Sequence, residues 1–334
     1  MAGTVARPKV YIDYISYFRA TGLGLGAVET GVSILEDYSD ILTYNPSNTK
    51  TFTPRWDNTS MKFKVFMGNG TGEASKLVQS MNYGAFLNHN AEDFEGRELN
   101  IDGMKQDNSA SSLNTSETGG TSGLNGFRLF NLDVSRWNDI NCFGLIFSSR
   151  QTGSTTPLRL GSVIAGRSYT FPHNANLSMN INYDADGIRS SRTLGGHDIV
   201  DVNYYKQPDW DGRPPFVATN SSGLSATSHI GRRSWALTFS FLTATDTFPQ
   251  GMGENFMFDN YFADDGSETW TNHTTDNITS HFMTLTLNGQ LGFLLQPDQS
   301  KNTFAWCKLR SNSFSVQQSA PNLYTCKMTF DETW

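Results

Sequence analysis

The chain reads as an all-β protein: an antiparallel β-sandwich or sandwiches with long loops and one or two short helices. Three observations predict this. Strict alternation of apolar and polar side chains recurs in three segments, and a period of two puts one strand face on a core and the other in water. Aromatic residues make up 13% of the 334 residues, led by 23 Phe, and such side chains fit a pleated surface. Charged residues are only 17%, and Ser, Thr, Asn and Gly fill the gap, a mixture that suits short strands joined by polar turns.

Along the chain, Gly22-Leu23-Gly24-Leu25-Gly26 comes first. Its third glycine arrives too early for a dinucleotide fingerprint and no βαβ context surrounds it, so it reads as a turn or a close backbone crossing. Val32 to Leu35 is too short to assign, and Ser75 to Tyr83 fits two helical turns. Lys62 to Met67, Phe127 to Leu132, Phe143 to Phe147, Ser162 to Ile164 and Tyr169 to Phe171 read as strands of weaker pattern. The first strongly alternating strand is Leu177 to Tyr183, ended by the turn Asp184-Ala185-Asp186-Gly187. Trp235 to Phe241 is the second and Tyr324 to Phe330 the third. Gln290 to Leu295 and Thr303 to Leu309 add two more. The best helix starts near Asn277 and ends at Asn288-Gly289, where a glycine suits a C-terminal cap. Thr284 and Thr286 alternate with Met283, Leu285 and Leu287, so a strand stays open there. Two stretches break the pattern: 107–125, nearly devoid of apolar anchors, and 206–226, which holds Trp210 among Pro208, Pro214 and Pro215. No internal repeat survives alignment of the chain with itself.

The formal charge of −7 and the lack of a Lys/Arg run argue against nucleic-acid binding. No apolar stretch reaches the roughly 18 residues of a membrane span. The opening Met1 to Lys9 lacks the apolar core of a signal peptide, which predicts folding in a cytoplasm. On that expectation Asn58, Asn176 and Asn272, each in an N-x-S/T triplet, are chance matches rather than glycan acceptors.

Candidate chemistry is thin. Cys142, Cys307 and Cys326 are odd in number and irregular in spacing, and read as buried small apolar residues. His89, His173, His197, His229, His273 and His281 include no pair at helical metal-site spacing. Gly196-His197-Asp198 sets a base beside an acid, but neighbours on a strand point to opposite faces. Asp264-Asp265 has too few oxygen ligands around it for a calcium loop, which leaves a weakly held ion as the lesser reading there. The sequence therefore predicts no catalytic residues, no cofactor and no metal. Trp210, Phe256, Phe258, Tyr261, Phe262 and Trp270 lie where alternation fails. They read either as loop packing or, with Trp334, as a subunit interface, since aromatics are enriched in interface cores.

A family pattern emerges towards the C-terminus. Arg232-Arg233-Ser234-Trp235 to Phe241 leads to the helix ending at Gly289. Gly292-Phe293 to Pro297, Phe304 to Leu309 and Tyr324 to Phe330 follow, with Glu332 and Trp334 at the end. This order resembles the distal-tail and minor-tail proteins of tailed bacteriophages. Arg159 to Gly166, Tyr169 to His173, the strand to Tyr183, Gly195-Gly196 and Arg7 to Tyr14 resemble structural proteins of marine phages. The resemblance implies a C-terminal tail-protein-like sandwich over 159–334, carrying the 206–226 insertion, after a β-rich region over 1–158. It implies a virion component, made in the host cytoplasm, that forms or decorates a ring at the tail tip or baseplate and joins the tube to hub or fibre proteins. Departures are the chain's length, the 107–125 loop and the 206–226 excursion. The rival readings are a receptor- or glycan-binding sandwich, with Trp210 or Trp270 as a stacking platform, and a capsid decoration protein. An enzyme on a sandwich requires two facing carboxylates at defined separation.

Overall fold

Trp235, Leu237 and Phe239 alternate with Ala236 and Thr238, and the chain resolves that pattern by pairing them with its last strand. Trp235 lies opposite Phe330, Leu237 opposite Met328 and Phe239 opposite Cys326, all on a buried face. The intervening pairs, Ala236 with Thr329 and Thr238 with Lys327, turn outward. The computed structural model describes residues 6–22, 25–30, 32–34, 46, 49–54, 60–67, 77, 80–90, 97–104, 126–132, 142–149, 158–176, 180–184, 187–203, 231–248 and 277–333. Strands account for 51% of them and the helices are three and short, so the protein is all-β.

In chain order the elements begin with β1 (Lys9–Ile12), α1 (Tyr14–Thr21), β2 (Leu25–Thr30), β3 (Val32–Ile34), β4 (Lys50–Pro54), β5 (Ser60–Met67) and β6 (Tyr83–His89). Then come β7 (Arg97–Met104), β8 (Phe127–Asn131), β9 (Cys142–Ser149), β10 (Leu158–Gly166), β11 (Ser168–Thr170), β12 (Asn180–Asp184), β13 (Ile188–Arg192) and β14 (Asp198–Val202). The chain closes with β15 (Arg232–Leu242), α2 (Ala244–Thr247), a π-helix (Ile278–Met283), β16 (Phe293–Gln296), β17 (Ala305–Leu309), β18 (Ser315–Ala320) and β19 (Leu323–Glu332).

The largest sheet runs β11-β1-β16-β17-β19-β15-β12, with β18 sharing the β17 side of β19. A five-stranded sheet runs β3-β4-β10-β6-β8, a four-stranded one β2-β5-β9-β7, and β13 pairs with β14 as a separate ribbon. Pairing is antiparallel throughout the described strands. Hydrogen bonding crosses position 158: β1 sits between β11 and β16 in the large sheet.

The large sheet is buried unequally. Around β1, β16 and β17 both faces are covered. Tyr11, Leu294 and Trp306 turn one way and meet Tyr83, Ala85, Leu87, Phe127 and Ile164 of the five-stranded sheet. Tyr83 Oη donates to the Ile12 carbonyl at 2.7 Å and Tyr11 Oη to Gln296 Oε1 at 2.9 Å, so these buried phenols keep their polar ends satisfied. Val10, Ile12, Phe293, Leu295 and Cys307 turn the other way, into the main core. There Phe282 of the π-helix meets Phe293 at 5.1 Å and Phe330 at 5.9 Å, while Phe171 stacks on Phe239 at 4.5 Å. Each such side chain contributes about 1.5–3 kcal/mol through burial.

The helix expected from Asn277 forms, and the strand alternative over Met283–Leu287 does not. Asn277 Oδ1 caps it by accepting from the Ser280 N–H at 2.7 Å; it ends at Leu285, and the turn that follows takes Leu287, Asn288 and Gly289 through the left-handed region. The Thr286 hydroxyl, poor for a regular helix, donates to the Phe282 carbonyl and accepts the Gly289 N–H, so it fastens the last turn.

Val32–Ile34, too short to assign from the sequence, is a strand. Two expectations need correction. Of Ser75 to Tyr83, Leu77 is helical, Ser80 lies in a turn and Tyr83 already starts β6, while 75, 76, 78 and 79 lie outside the described residues. The Leu177–Tyr183 alternation yields β12 from Asn180, with 177–179 outside the described residues, and no core face: Ile181 is 46% and Tyr183 61% exposed. Gly22 lies in a turn, one of the two readings of the glycine run, and caps α1 at φ +72°, while α1 itself lies where no helix was expected.

Candidate assembly surface

Large apolar side chains left in water concentrate in one stretch. Among the described residues they are Ile181, Tyr183, Leu194, Ile199, Val200, Val202 and Phe241, and all but Phe241 lie between positions 181 and 202. Scattered exposed apolar residues need no explanation, whereas a cluster marks a contact surface.

β12 carries the first part. It is the last strand of the large sheet and pairs only with β15 among the described residues. Ile181 sits opposite Trp235 and Tyr183 opposite Arg233. A strand ending a sheet turns half its backbone groups outward, and such an edge is a template for another chain.

The neighbouring strands hold that edge firmly. Arg233 Nη2 donates to Glu332 Oε1 at 2.6 Å, and Arg233 Nε and the Arg233 backbone N–H both donate to Oε2 at 3.0 Å. Arg233 Nη2 reaches the Phe304 carbonyl at 3.4 Å, and its guanidinium lies 5.0 Å from the Trp235 ring centre. Burial alone lowers the Arg233 pKa, but the Glu332 carboxylate outweighs it and holds the group up.

The ribbon carries the rest. Residues 189–202 are exposed throughout, so neither face of the β13–β14 hairpin is covered. Its turn is built by Gly196, at φ +85°, whose N–H donates to the Thr193 carbonyl at 2.9 Å. The Thr193 hydroxyl accepts the His197 N–H at 3.1 Å, and Leu194 stands fully exposed at the tip. Gly196-His197-Asp198 is thus a turn leading into β14, and Asp198 faces Arg192 at 3.7 Å rather than His197. The base of the ribbon closes where the Asn203 N–H meets the Gly187 carbonyl at 2.9 Å.

The interface residues read from the sequence, Trp210, Phe256, Phe258, Tyr261, Phe262, Trp270 and Trp334, lie outside the described residues, as do Asp264, Asp265 and the stretches 107–125 and 206–226. His89 and His281 are buried, whereas His173 and His197 are exposed. Desolvation, aided by the nearby Arg128 charge, drives the His89 pKa down to about 3, so this ring stays neutral in the core. Cys307 and Cys326 are buried free thiols, as the sequence led us to expect. Among the described residues no cluster of His, Cys, Asp or Glu is suited to a metal ion, and no helix is long and apolar enough to cross a membrane. The sequence reading missed the hairpin, although Gly195-Gly196 between two short runs, one basic and one acidic, is its signal.

No family model, no curated protein and no solved structure matches this chain.

Proposed function

We propose that this chain is a non-enzymatic structural subunit that works by docking to other protein surfaces, and that its setting is the ring at the tip or baseplate of a phage tail. The observation that carries the docking reading is the uncovered apolar stretch from Ile181 to Val202, spread over a sheet edge and a two-stranded ribbon. β15, the neighbour of the β12 edge, buries Trp235, Leu237 and Phe239 in the main core, so the exposure at that edge is not a general looseness of the core. The tail setting rests on the resemblance carried by Trp235 to Phe241, Gly292 to Pro297 and Tyr324 to Phe330. A subunit of this kind presents one patch to a neighbour and another to the next, and a suitable rotation closes such contacts into a ring.

The test is imaging of purified particles that carry this chain with a small label. Label in one ring at the tail end is the expected result. Label spread over the head, or none on the particle, overturns the tail reading.

A further inference from the structure

A two-stranded ribbon standing alone in water is marginal at best, because it has no third strand and no covering layer to bury its apolar side chains. Among the described residues the β13–β14 ribbon is such a ribbon, yet it carries Ile188, Ile199, Val200 and Val202. What completes it is written in its charges. β13 bears Arg189 and Arg192 and no acid; β14 bears Asp198 and Asp201 and no base. One outer edge of the ribbon is therefore basic and the other acidic.

Within the ribbon Arg192 faces Asp198 and Arg189 faces Asp201. Arg192 and Asp198 approach to 3.7 Å with side chains 75% and 73% exposed, and Arg189 and Asp201 form no ion pair among the described residues. Both pairs thus retain capacity for further partners.

We propose that the occupant of these edges is a second copy of this chain, with β13 of one copy pairing antiparallel to β14 of the next. The inference rests on the self-assembly reading above and assigns its contact. In the register the ribbon already uses, Arg189 of one copy lies opposite Asp201 of its neighbour, and Arg192 opposite Asp198. The same register sets Ile188 opposite Val202 and Ser190 opposite Val200, so one apolar stripe runs on from copy to copy. A two-fold contact of β13 with β13 gathers four arginines and no acid along one seam, and one of β14 with β14 gathers four aspartates and no base. Like charges gathered along one seam repel, whereas opposite charges placed directly opposite attract, so the pattern favours the head-to-tail contact over the two-fold one. Head-to-tail contacts generate rings or filaments rather than dimers.

The test uses the full chain and sedimentation velocity. Wild type is expected to sediment as an oligomer. Asp198→Arg with Asp201→Arg makes both edges basic and is expected to lose the oligomer. Adding Arg189→Asp and Arg192→Asp restores complementarity, within the ribbon and between copies, and is expected to bring the oligomer back. The decisive arm mixes this fully reversed protein with wild type, each carrying a different fluorophore. Every mixed contact then sets like charges together, so two populations are expected with no mixed species. Oligomers that mix freely, or that survive the half-reversed variant, overturn the hairpin contact while leaving self-assembly standing. A wild type that is monomeric at every concentration also overturns the hairpin contact, and particle imaging then decides the tail reading on its own.

Discussion

Arg233 grips Glu332 through its side-chain fork and its own backbone N–H, and the Glu332 side chain is wholly buried. The pair ties β15 to β19 beside the edge strand β12, and Arg233 also reaches β17's approach at Phe304. A buried pair of this kind is weak evidence for net stability, but breaking it on one side strands a charge in the core.

Glu332→Gln keeps the side-chain shape and removes the counter-charge, so a loss of about 3 kcal/mol is expected in urea unfolding at constant slope. Arg233→Met combined with Glu332→Leu leaves no buried charge and is expected to lose much less than the single change. A double variant as unstable as Glu332→Gln argues that packing, not the stranded charge, dominates.

Asp13 carries a pH dependence. It caps α1 by accepting the Ile15 and Ser16 N–H groups and the Ser16 hydroxyl, while being almost fully buried. Burial pushes its carboxyl up to about 7 against the pull of those hydrogen bonds. The folded chain thus holds this proton through a window, from near 4 up to about 7, in which the unfolded chain has released it. Stability from this group is full below that window and falls as pH rises through it. Asp13→Asn stays neutral and remains a good cap. The variant is expected to gain on wild type between pH 4 and 8, by up to about 4 kcal/mol, as read from unfolding midpoints. Parallel pH profiles for the two proteins argue that Asp13 does not titrate in this range.

The same residues explain what the sequence shows and hides. β15 and β19 are legible because one of their faces meets solvent, so Trp235, Leu237 and Phe239 alternate with the small or polar Ser234, Ala236, Thr238 and Ser240. β6 is buried at every position from Tyr83 to His89, and β1 at all but Lys9, so no alternation is left to read. Helix α1 hides for a different reason. Tyr14, Ile15, Tyr17 and Phe18 have strand-like propensities, and only its caps, Asp13 and Gly22, announce it. β12 misleads in the opposite direction, since its alternation is real while its apolar face is uncovered. The contact surface was illegible because its signal is charge segregated between two short strands, which becomes a pattern only once β13 and β14 are known to pair.

Gly289 is where a single methyl group is expected to be costly. Its φ of +75° is left-handed, and a Cβ there comes within 2.1 Å of the Leu309 Cβ. Gly289→Ala therefore combines a strained backbone, roughly 1–2 kcal/mol, with overpacking, roughly 1–3 kcal/mol. A loss of several kcal/mol is expected in thermal unfolding. Leu309→Gly in the same chain removes the obstructing Cβ, so the two losses are expected to be less than additive. Full additivity argues that the Cβ never meets Leu309.

Phe241 is the remaining exposed aromatic among the described residues, and its backbone is as unusual as its exposure. The pairing of β15 with β19 shifts between Phe239 and Leu242, and Phe241 takes φ +62° within that bulge with its ring 73% exposed. A bulky residue in the left-handed region costs about 1–2 kcal/mol, and an exposed ring returns little of it through packing. Asn adopts this conformation more readily than other non-glycine residues, and a β-branched residue adopts it least. Phe241→Asn is therefore expected to raise the unfolding temperature, by less than about 1 kcal/mol in free energy, and Phe241→Val to lower it. The opposite order of the two variants argues that the ring, not the backbone, sets stability at the bulge. If Phe241→Asn gains stability yet weakens self-association, the strain at this bulge is retained for contact between subunits rather than for folding.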